Sequence, residues 1–371
     1  MIVKKVELHN FRNYENLELS FDSSRNVFIG ENAQGKTNLI EGIYLCAFAR
    51  SFRTQNSANM IMLDRPRASV TVDLVSEDMD KSISVILDRT GKKMIKKDGK
   101  VIRKTAELLN NLVVMVFSPE DLRIIKDSPE KRRNFINKEL SQIRPRYYEC
   151  LRLYSEALRQ KNSMLKENLK NSKIDEDMLD IYDLQLAKYG TEIVKYRRNF
   201  IRMLSERAAE IQKSISGGRE DLEIRYLCSL SEENQYDALV AARDRDLYSG
   251  HSSLGPQRDD MEFLINGKDA KKYGSQGQHR TIALALKLAE IGIARDVIGE
   301  NPVLLLDDVL SELDEERQTF LFQEIEDVQL FITTTDVNNR ILKKMPKGNV
   351  YSVKSGTVFK NTLKWFKIKP K

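Results

Sequence analysis

Gly30-Glu31-Asn32-Ala33-Gln34-Gly35-Lys36-Thr37 follows the spacing G-x-x-x-x-G-K-[ST], the pattern of a phosphate-binding P-loop. Both flanks suit it. Val27-Phe28-Ile29 is a short β-branched and aromatic run fit for a buried strand, and Leu39, Ile40, Ile43, Tyr44 and Phe48 recur at helical spacing straight after the loop. A strand, a glycine-rich turn and a helix in that order wrap backbone N–H groups and a helix N-terminus around phosphates. Gly30, Glu31, Asn32, Ala33, Gln34, Gly35, Lys36 and Thr37 are therefore the expected nucleotide cradle. In it the Lys36 ammonium lies against the β- and γ-phosphates and the Thr37 hydroxyl holds Mg²⁺. A glycine-containing surface turn is the plain alternative, and the strand and helix on either side argue against it.

Outward from the loop, Val6 and Leu8 alternate, as do Leu17, Leu19 and Phe21, which predicts two opening strands joined around Phe11-Arg12-Asn13-Tyr14. Arg50-Ser51-Phe52-Arg53 is a basic patch beyond the loop helix, facing either the nucleotide or solvent. Residues 68–104 alternate as antiparallel strands, with turns at Arg89-Thr90-Gly91 and Asp98-Gly99. The second half of that stretch carries Arg89, Lys92, Lys93, Lys96, Lys97, Lys100, Arg103 and Lys104 against Asp98 alone. It is either a solvated face or a contact for a phosphate backbone.

Val113 to Phe117 is an apolar run, a buried strand. Ser118-Pro119-Glu120-Asp121 after it carries a helix-start signature. From Tyr147 apolar residues follow a 4/3 rhythm through Leu151, Tyr154, Leu158, Leu165 and Leu169, broken by Lys161. A second seam runs from Leu179 through Leu186, Ile193 and Phe200 to Met203. Together they predict an antiparallel helical hairpin over 147–215, with arms of roughly 35–50 Å, ended by Gly217-Gly218. A strand at 222–227, a helix around 234–246 and a strand from Met261 to the Asn266-Gly267 turn follow. A long helix then runs through Ile282 and Ile293, with strands at 303–307 and 328–332 beyond it.

The chemistry concentrates at these later ends. Asp307 closes the apolar strand Val303 to Leu306, where a carboxylate holds Mg²⁺ directly or through water, and Asp308 beside it can orient or deprotonate an attacking water. A bare helix cap is the alternative for this pair. Ser275-Gln276-Gly277-Gln278 at a helix start resembles the signature loop of ATP-binding-cassette ATPases, and Ser311-Glu312-Leu313-Asp314 follows the double-Asp strand at the matching distance. The fold class expected is α/β: a cassette-type P-loop ATPase head over 1–117 and 219–371, with an antiparallel β subdomain at 68–104 and an inserted helical lobe at 118–218.

Taken together, the chain resembles the RecF family of bacterial recombination mediators, relatives of the structural-maintenance-of-chromosomes (SMC) ATPases. The resemblance runs end to end. It includes His9 to Tyr14, Gly30 to Asn38, Arg50 to Arg53, Phe117 to Asp121, Arg132-Arg133-Asn134-Phe135, Gly255-Pro256-Gln257-Arg258-Asp259-Asp260 and the Ser275, Asp307 and Ser311 motifs. Two departures stand out. Gln257 occupies a position where the family often has His, and the switch strand ends in Thr335-Asp336 where transporter-type cassettes have His, which leaves Thr335 or Asp336 to stand in for a His sensor of the γ-phosphate. The resemblance implies an ATP-driven homodimer of heads, in which Ser275, Gly277 and Gln278 of one subunit cap the γ-phosphate on the other's P-loop and Arg12 reaches the phosphates. It further implies binding of single- or double-stranded DNA or their junctions when ATP closes the dimer, and slow DNA-stimulated hydrolysis that releases it. Partners resembling RecO and RecR would help load recombinase at gaps during repair and support the SOS response. Lys92, Lys93, Lys96, Lys97, Lys100, Arg103 and Lys104 are the candidate DNA contacts.

Composition agrees without deciding. The chain has 371 residues, 41% hydrophobic and 31% charged, a net charge of +6 and three cysteines in no metal-like spacing. No signal-like or membrane-length apolar segment is present, so a soluble cytoplasmic protein is expected. Two other classes compete: a cassette ATPase that drives a protein partner or transporter without DNA, and a nuclease-linked ATPase. The latter would need a second metal cluster, which His9, His251 and His279, read as structural or surface residues, do not supply.

Overall fold

The computed structural model describes residues 1–22, 24–171, 175–335 and 348–361; Asp336 lies outside them. Alternation builds the first sheet. β1 (Ile2–Phe11) buries Val3, Val6, Leu8 and Phe11, and β2 (Tyr14–Ser20) returns antiparallel to it with Leu8 opposite Leu17. β3 (Arg25–Ile29) and α1 (Lys36–Phe48) are the P-loop strand and helix. β4 (Arg67–Ser76), β5 (Met79–Asp88), β6 (Lys93–Lys97) and β7 (Lys100–Ile102) then join β1 in one sheet of order β2-β1-β4-β5-β6-β7. Since β1 pairs with β4 from Ile2–Val75 to His9–Ser69, the β subdomain is larger than the expected 68–104 and takes in the opening strands. Its apolar face packs on α1.

β8 (Val114–Phe117) is wholly buried. The helix expected at Ser118 does not form there. Ser118 N–H and Oγ bond Asp121 Oδ2 at 2.8 and 2.9 Å and close a turn that leads only to a 3₁₀ segment, Asp121–Arg123. α2 (Pro129–Ile143) starts instead from Ser128, the next Ser-Pro pair, because only there do Phe135, Ile136, Leu140 and Ile143 supply a buried helical face.

α3 (Pro145–Asn171) and α4 (Glu176–Ile215) form the antiparallel hairpin, with Asp175 capping α4 through a 3.0 Å bond from Met178 N–H. Forty residues make α4 about 60 Å long, beyond the expected span. Lys161, the break in the apolar rhythm, is fully buried and bonds Asp183 and Asp246 at 2.7 and 3.1 Å. β9 (Leu222–Leu227) follows. The single helix expected around 234–246 is two short ones, α5 (Gln235–Ala241) and α6 (Arg243–Ser249). β10 (Asp260–Ile265) and β11 (Lys268–Asp269) complete a three-stranded sheet, before α7 (Ala270–Tyr273) and α8 (Gln276–Ile298).

β12 (Val303–Asp307), α9 (Glu315–Glu324), β13 (Leu330–Thr334), β14 (Asn349–Lys354) and β15 (Thr357–Lys360) return to the P-loop. The central sheet has the order β15-β14-β3-β13-β12-β8, parallel throughout except for the β14–β15 hairpin. β3, β8, β12 and β13 are buried at every residue, as strands covered on both faces must be. Ile29, Asp307 and Thr334 thus end side by side, at the carboxyl edge where such sheets bind ligands.

The chain divides into two compact units, Met1–Leu122 with Glu290–Lys371, and Arg123–Ala289. The expected return to the head at residue 219 is therefore displaced, because β9 packs on α4 and pairs with β10, which packs on α2. In the second unit the Gly255 to Asp260 motif is structural: Arg197 pairs with Asp259 at 3.0 Å and Arg132 forks onto Asp260 at 2.6 and 2.7 Å. No helix among the described residues is long and apolar enough to cross a membrane.

Candidate nucleotide site

Two residues of positive φ let the P-loop close. Gly35 sits at φ 117°, in the region glycine alone enters readily, and a side chain there would strike Asn13 and the Tyr14 hydroxyl. Ala33 also takes a positive φ, 64°. The result is a loop folded over its own lysine: Lys36 Nζ donates to the carbonyls of Gly30 and Glu31 at 2.6 and 2.7 Å. Burial pulls the Lys36 ammonium below its ordinary pKa, and the carboxylates of Asp308 and Asp307 pull the other way. Charge on phosphate oxygens would do the same, more strongly.

A cavity of about 280 Å³ opens at the loop, lined by P-loop residues, among them Asn32, Lys36 and Thr37, and by Asn38, Arg53, Asp308 and Thr333. Thr37 Oγ1 donates to Asp307 Oδ1 at 2.8 Å, and Thr333 Oγ1 donates to the same oxygen at 2.8 Å. The two residues assigned to the metal from sequence, 270 positions apart, are thus in contact. Asp308 N–H bonds the Thr333 hydroxyl at 3.1 Å, and the residue takes φ 54°, which turns its side chain out of the strand line. Asp308 Oδ1 is buried without a hydrogen-bond partner. Burial raises the Asp308 carboxyl above its ordinary pKa and Asp307 adds to this, while Lys36 and the Thr335 backbone N–H oppose it.

With the orphaned Asp308 oxygen left over, the hydroxyl of Thr37 and the carboxylate of Asp307 form an all-oxygen donor pair. It suits a hard divalent cation such as Mg²⁺.

Arg12 departs from expectation. Its guanidinium forks onto Glu41 at 2.9 and 2.7 Å and donates to Asn59 O at 2.6 Å, and it does not line the cavity. Glu41 is fully buried one turn past Thr37, and it also accepts from the Ser51 hydroxyl and stands 3.6 Å from Arg53. Arg53, for which sequence leaves nucleotide and solvent both open, reaches the cavity and donates to Asn38 Oδ1 at 2.8 Å. Asn38 and Thr333 line the cavity as well, beyond the residues that the sequence motifs point to. A polar residue at the first helical turn and a threonine level with Asp307 on the next strand were the available signals.

Ser275, Gly277 and Gln278 belong to the second unit. Ser275 Oγ accepts the Gln278 N–H at 3.2 Å while Gln278 Oε1 accepts the Ser275 N–H at 2.8 Å, a reciprocal cap on α8. Ser275 itself is exposed. His279 is buried and structural, its Nε2 2.8 Å from Ala270 O.

The basic hairpin does not present one face. Strand pleating puts Lys93 and Lys97 opposite the buried Leu87 and Ile83, and Lys96 opposite Ser84 on the other side. Lys93 Nζ donates to Ala49 O at 3.1 Å, and Arg89 is taken by the carbonyls of Arg65 and Met62 at 2.7 and 2.9 Å. Lys92, Lys100, Arg103 and Lys104 are exposed.

The family model of the RecF/RecN/SMC N-terminal domain matches residues 2–358. A protein of Clostridium perfringens (strain SM101 / Type A) called "DNA replication and repair protein RecF" is 42% identical over 363 residues, covering 96% of this chain and 99% of that one. One of the same name from Bacillus cereus (strain AH820) is 41% identical over 369 residues, covering 96% and 98%. Among solved structures, one described as the recombination mediator protein RecF with ATP in the RecFOR pathway superposes with a TM-score of 0.90 at 36% identity, over 97% of this chain and 98% of that one. The SMC head of Pyrococcus furiosus bound to the C-terminal domain of ScpA has a TM-score of 0.55 at 15% identity, over 98% and 96%, and shares the fold alone. With the P-loop, the double-Asp strand and the hairpin lobe in one cassette-type head, this chain belongs to the RecF family.

Proposed function

We propose that the chain is an ATP-dependent DNA-binding protein of recombinational repair and replication, a weak Mg²⁺-dependent ATPase whose nucleotide state controls its grip on DNA. The observation that carries this is the Thr37–Asp307 contact at the mouth of the P-loop, with Asp308 poised beside it. Thr37 and Asp307 would hold Mg²⁺, which when bound neutralises phosphate charge. Lys36 and the loop N–H groups bind the β- and γ-phosphates. Asp308 accepts a proton from, or orients, the attacking water. The raised pKa of its carboxyl makes it a better base than an ordinary aspartate. Arg12 is held in reserve by Glu41 and Arg53 is the arginine nearer the phosphates.

In this reading Ser275, Gly277 and Gln278 complete the site from a second copy, so ATP joins two heads and hydrolysis parts them. Relatives named for DNA replication and repair, and a RecF described within the RecFOR pathway, support DNA and RecO- and RecR-like proteins as partners. The exposed cations Lys92, Lys100, Arg103 and Lys104 and the half-buried Lys96 and Lys97 are the DNA contacts favoured, with Lys93 a lesser one because its amine already bonds Ala49 O. A cytoplasmic place follows from that chemistry.

The test measures solution mass and DNA affinity together, with and without ATP, for wild type, Lys36→Ala, Ser275→Arg and Asp308→Asn. ATP should give a dimer that binds DNA more tightly. Ser275→Arg should stay monomeric, and Asp308→Asn should stay closed. A wild type that remains monomeric with ATP and ignores DNA at every salt concentration would overturn the proposal in favour of a partner-driving ATPase.

A further inference from the structure

The P-loop is held from behind by the β14–β15 hairpin, more than three hundred residues away in sequence. Gln34 Oε1 accepts the Ser355 N–H at 2.7 Å across a separation of 321 residues, and the Gln34 carbonyl accepts the Gly356 N–H at 3.1 Å. That carbonyl also accepts from Asn13 Nδ2 at 2.9 Å. Ser355 and Gly356 form the hairpin turn, at φ 46° and 75°, and a methyl group on Gly356 would collide with Asn13 O. At the other end of the loop, a methyl on Gly30 would collide with Val353 O. β14 runs parallel to β3 with Ser352 opposite Ile29, so the strand that delivers the loop and the strand that delivers the turn are locked in register.

The consequence lies in peptide geometry. In a planar trans peptide the C=O and the following N–H point in opposite directions. Two donors fix the Gln34 carbonyl away from the cavity, so the Gly35 N–H is aimed into it. One residue on, the Tyr14 hydroxyl donates to Gly35 O at 3.0 Å and does the same for the Lys36 N–H. A 34–35 peptide free to flip would present a carbonyl dipole to an incoming phosphate in place of a donor, and ordering it at binding would weaken affinity.

We propose that the Ser355–Gly356 turn is a positioning element of the nucleotide site: it orients the Gln34–Gly35 peptide so that the loop meets phosphate with its N–H groups already aligned. The inference rests on the nucleotide function proposed above. It gives the C-terminal hairpin a role in affinity that its distance from the cavity-lining side chains would not suggest.

The experiment measures ATP dissociation constants by calorimetry and steady-state hydrolysis on the full chain for wild type, Gly356→Ala, Gln34→Met and Ser355→Gly, with melting temperatures without nucleotide. Gly356→Ala should weaken ATP binding about tenfold, the equivalent of about 1.4 kcal/mol, and raise KM while kcat at saturating ATP stays within about twofold. Gln34→Met, which loses only the side-chain acceptor, should weaken it about threefold. Ser355→Gly keeps the N–H and tolerates the positive φ, loses only the 3.4 Å bond from its hydroxyl to Gln34 Oε1, and should weaken binding less than Gln34→Met does. Should Gly356→Ala fail to fold, Gln34→Met decides the matter alone. Wild-type affinity in Gln34→Met, or a melting shift with unchanged KM, would overturn the inference while leaving the nucleotide function standing. A wild type that binds no ATP would overturn both.

Discussion

Two long helices in this chain begin at a short glycine-bearing loop, and their N-termini are finished in opposite ways. α1 follows Gly35 with no side-chain cap and no acid in its first turn, and a cavity opens at that end. α8 follows Ser275 and is closed by its own residues through the reciprocal Ser275–Gln278 bonds. An absent cap leaves a helix about 1 kcal/mol less stable, which is tolerable where a bound anion supplies the missing acceptors. The α1 start therefore carries the mark of a site within one chain. The α8 start is satisfied as it stands, and its link to nucleotide depends on what a second copy does to an exposed serine.

The largest expected effect is at the strand end facing α1. Asp308→Asn should lower kcat about 100-fold or more while ATP binding is retained, measured by single-turnover hydrolysis beside calorimetry. In wild type the acid limb of the rate profile should lie above the ordinary aspartate value of 3.8, because burial and Asp307 raise this carboxyl and only its ionised form serves as base. The sign for stability is the reverse. A carboxyl whose folded pKa exceeds its unfolded value binds more protons when folded, so its contribution falls as pH rises through that window. Above it the neutral Asn side chain, which also tolerates φ 54°, should raise the melting temperature of the nucleotide-free protein. A lowered melting temperature would show that Asp308 is held for the fold rather than for catalysis.

Next in size is Lys36→Ala. Removing the one ammonium the loop encloses should cost about 3 kcal/mol of ATP binding, near a hundredfold in Kd. Melting should change little, since the amine's partners are the carbonyls of Gly30 and Glu31 at the loop. Equal ATP affinity would mean that the uncapped α1 start is not the phosphate site, and the contrast between the two helices would lose its meaning.

Much of this contrast could be read before any coordinates, and the rest could not, for identifiable reasons. Val27-Phe28-Ile29, Val113 to Phe117 and Val303 to Leu306 are continuous apolar runs, and strands buried on both faces leave that trace. Ser118-Pro119 and Ser128-Pro129 have the same local cap chemistry, and only the apolar face that follows the second turns it into a helix start. Lys161 breaks the apolar rhythm of α3 yet is buried, because Asp183 and Asp246 stand opposite on other helices. Likewise Arg12 was expected at the phosphates, but the fully buried Glu41 claims it. The Gln34 contact with Ser355 depends on β14 pairing with β3, a non-local register.

A third effect, smaller per residue, tests the basic hairpin, where counting cations overstated a single face. Replacing Lys96, Lys97, Lys100 and Lys104 by Glu should weaken DNA binding and reduce the slope of log affinity against log salt. The reduction should be roughly 0.9 for each duplex phosphate that is no longer neutralised. Lys93→Glu alone should change that slope least, as its amine is committed to Ala49 O. An unchanged slope in the fourfold variant would place the DNA-binding surface elsewhere than this hairpin.

The smallest effect returns to α8 and separates its two roles. Ser275→Ala removes the acceptor for the Gln278 N–H and should lower stability by about 1 kcal/mol, read from denaturant unfolding. Ser275→Asp supplies an equally good cap and should leave stability within about 0.5 kcal/mol of wild type, yet its negative charge would face a γ-phosphate in any trans site. If Ser275→Asp is as stable as wild type and fails to dimerise with ATP, the serine serves nucleotide as well as the helix. If it dimerises normally, the self-satisfied cap seen here is the whole of its role, and the two helix starts differ in function as sharply as they do in geometry.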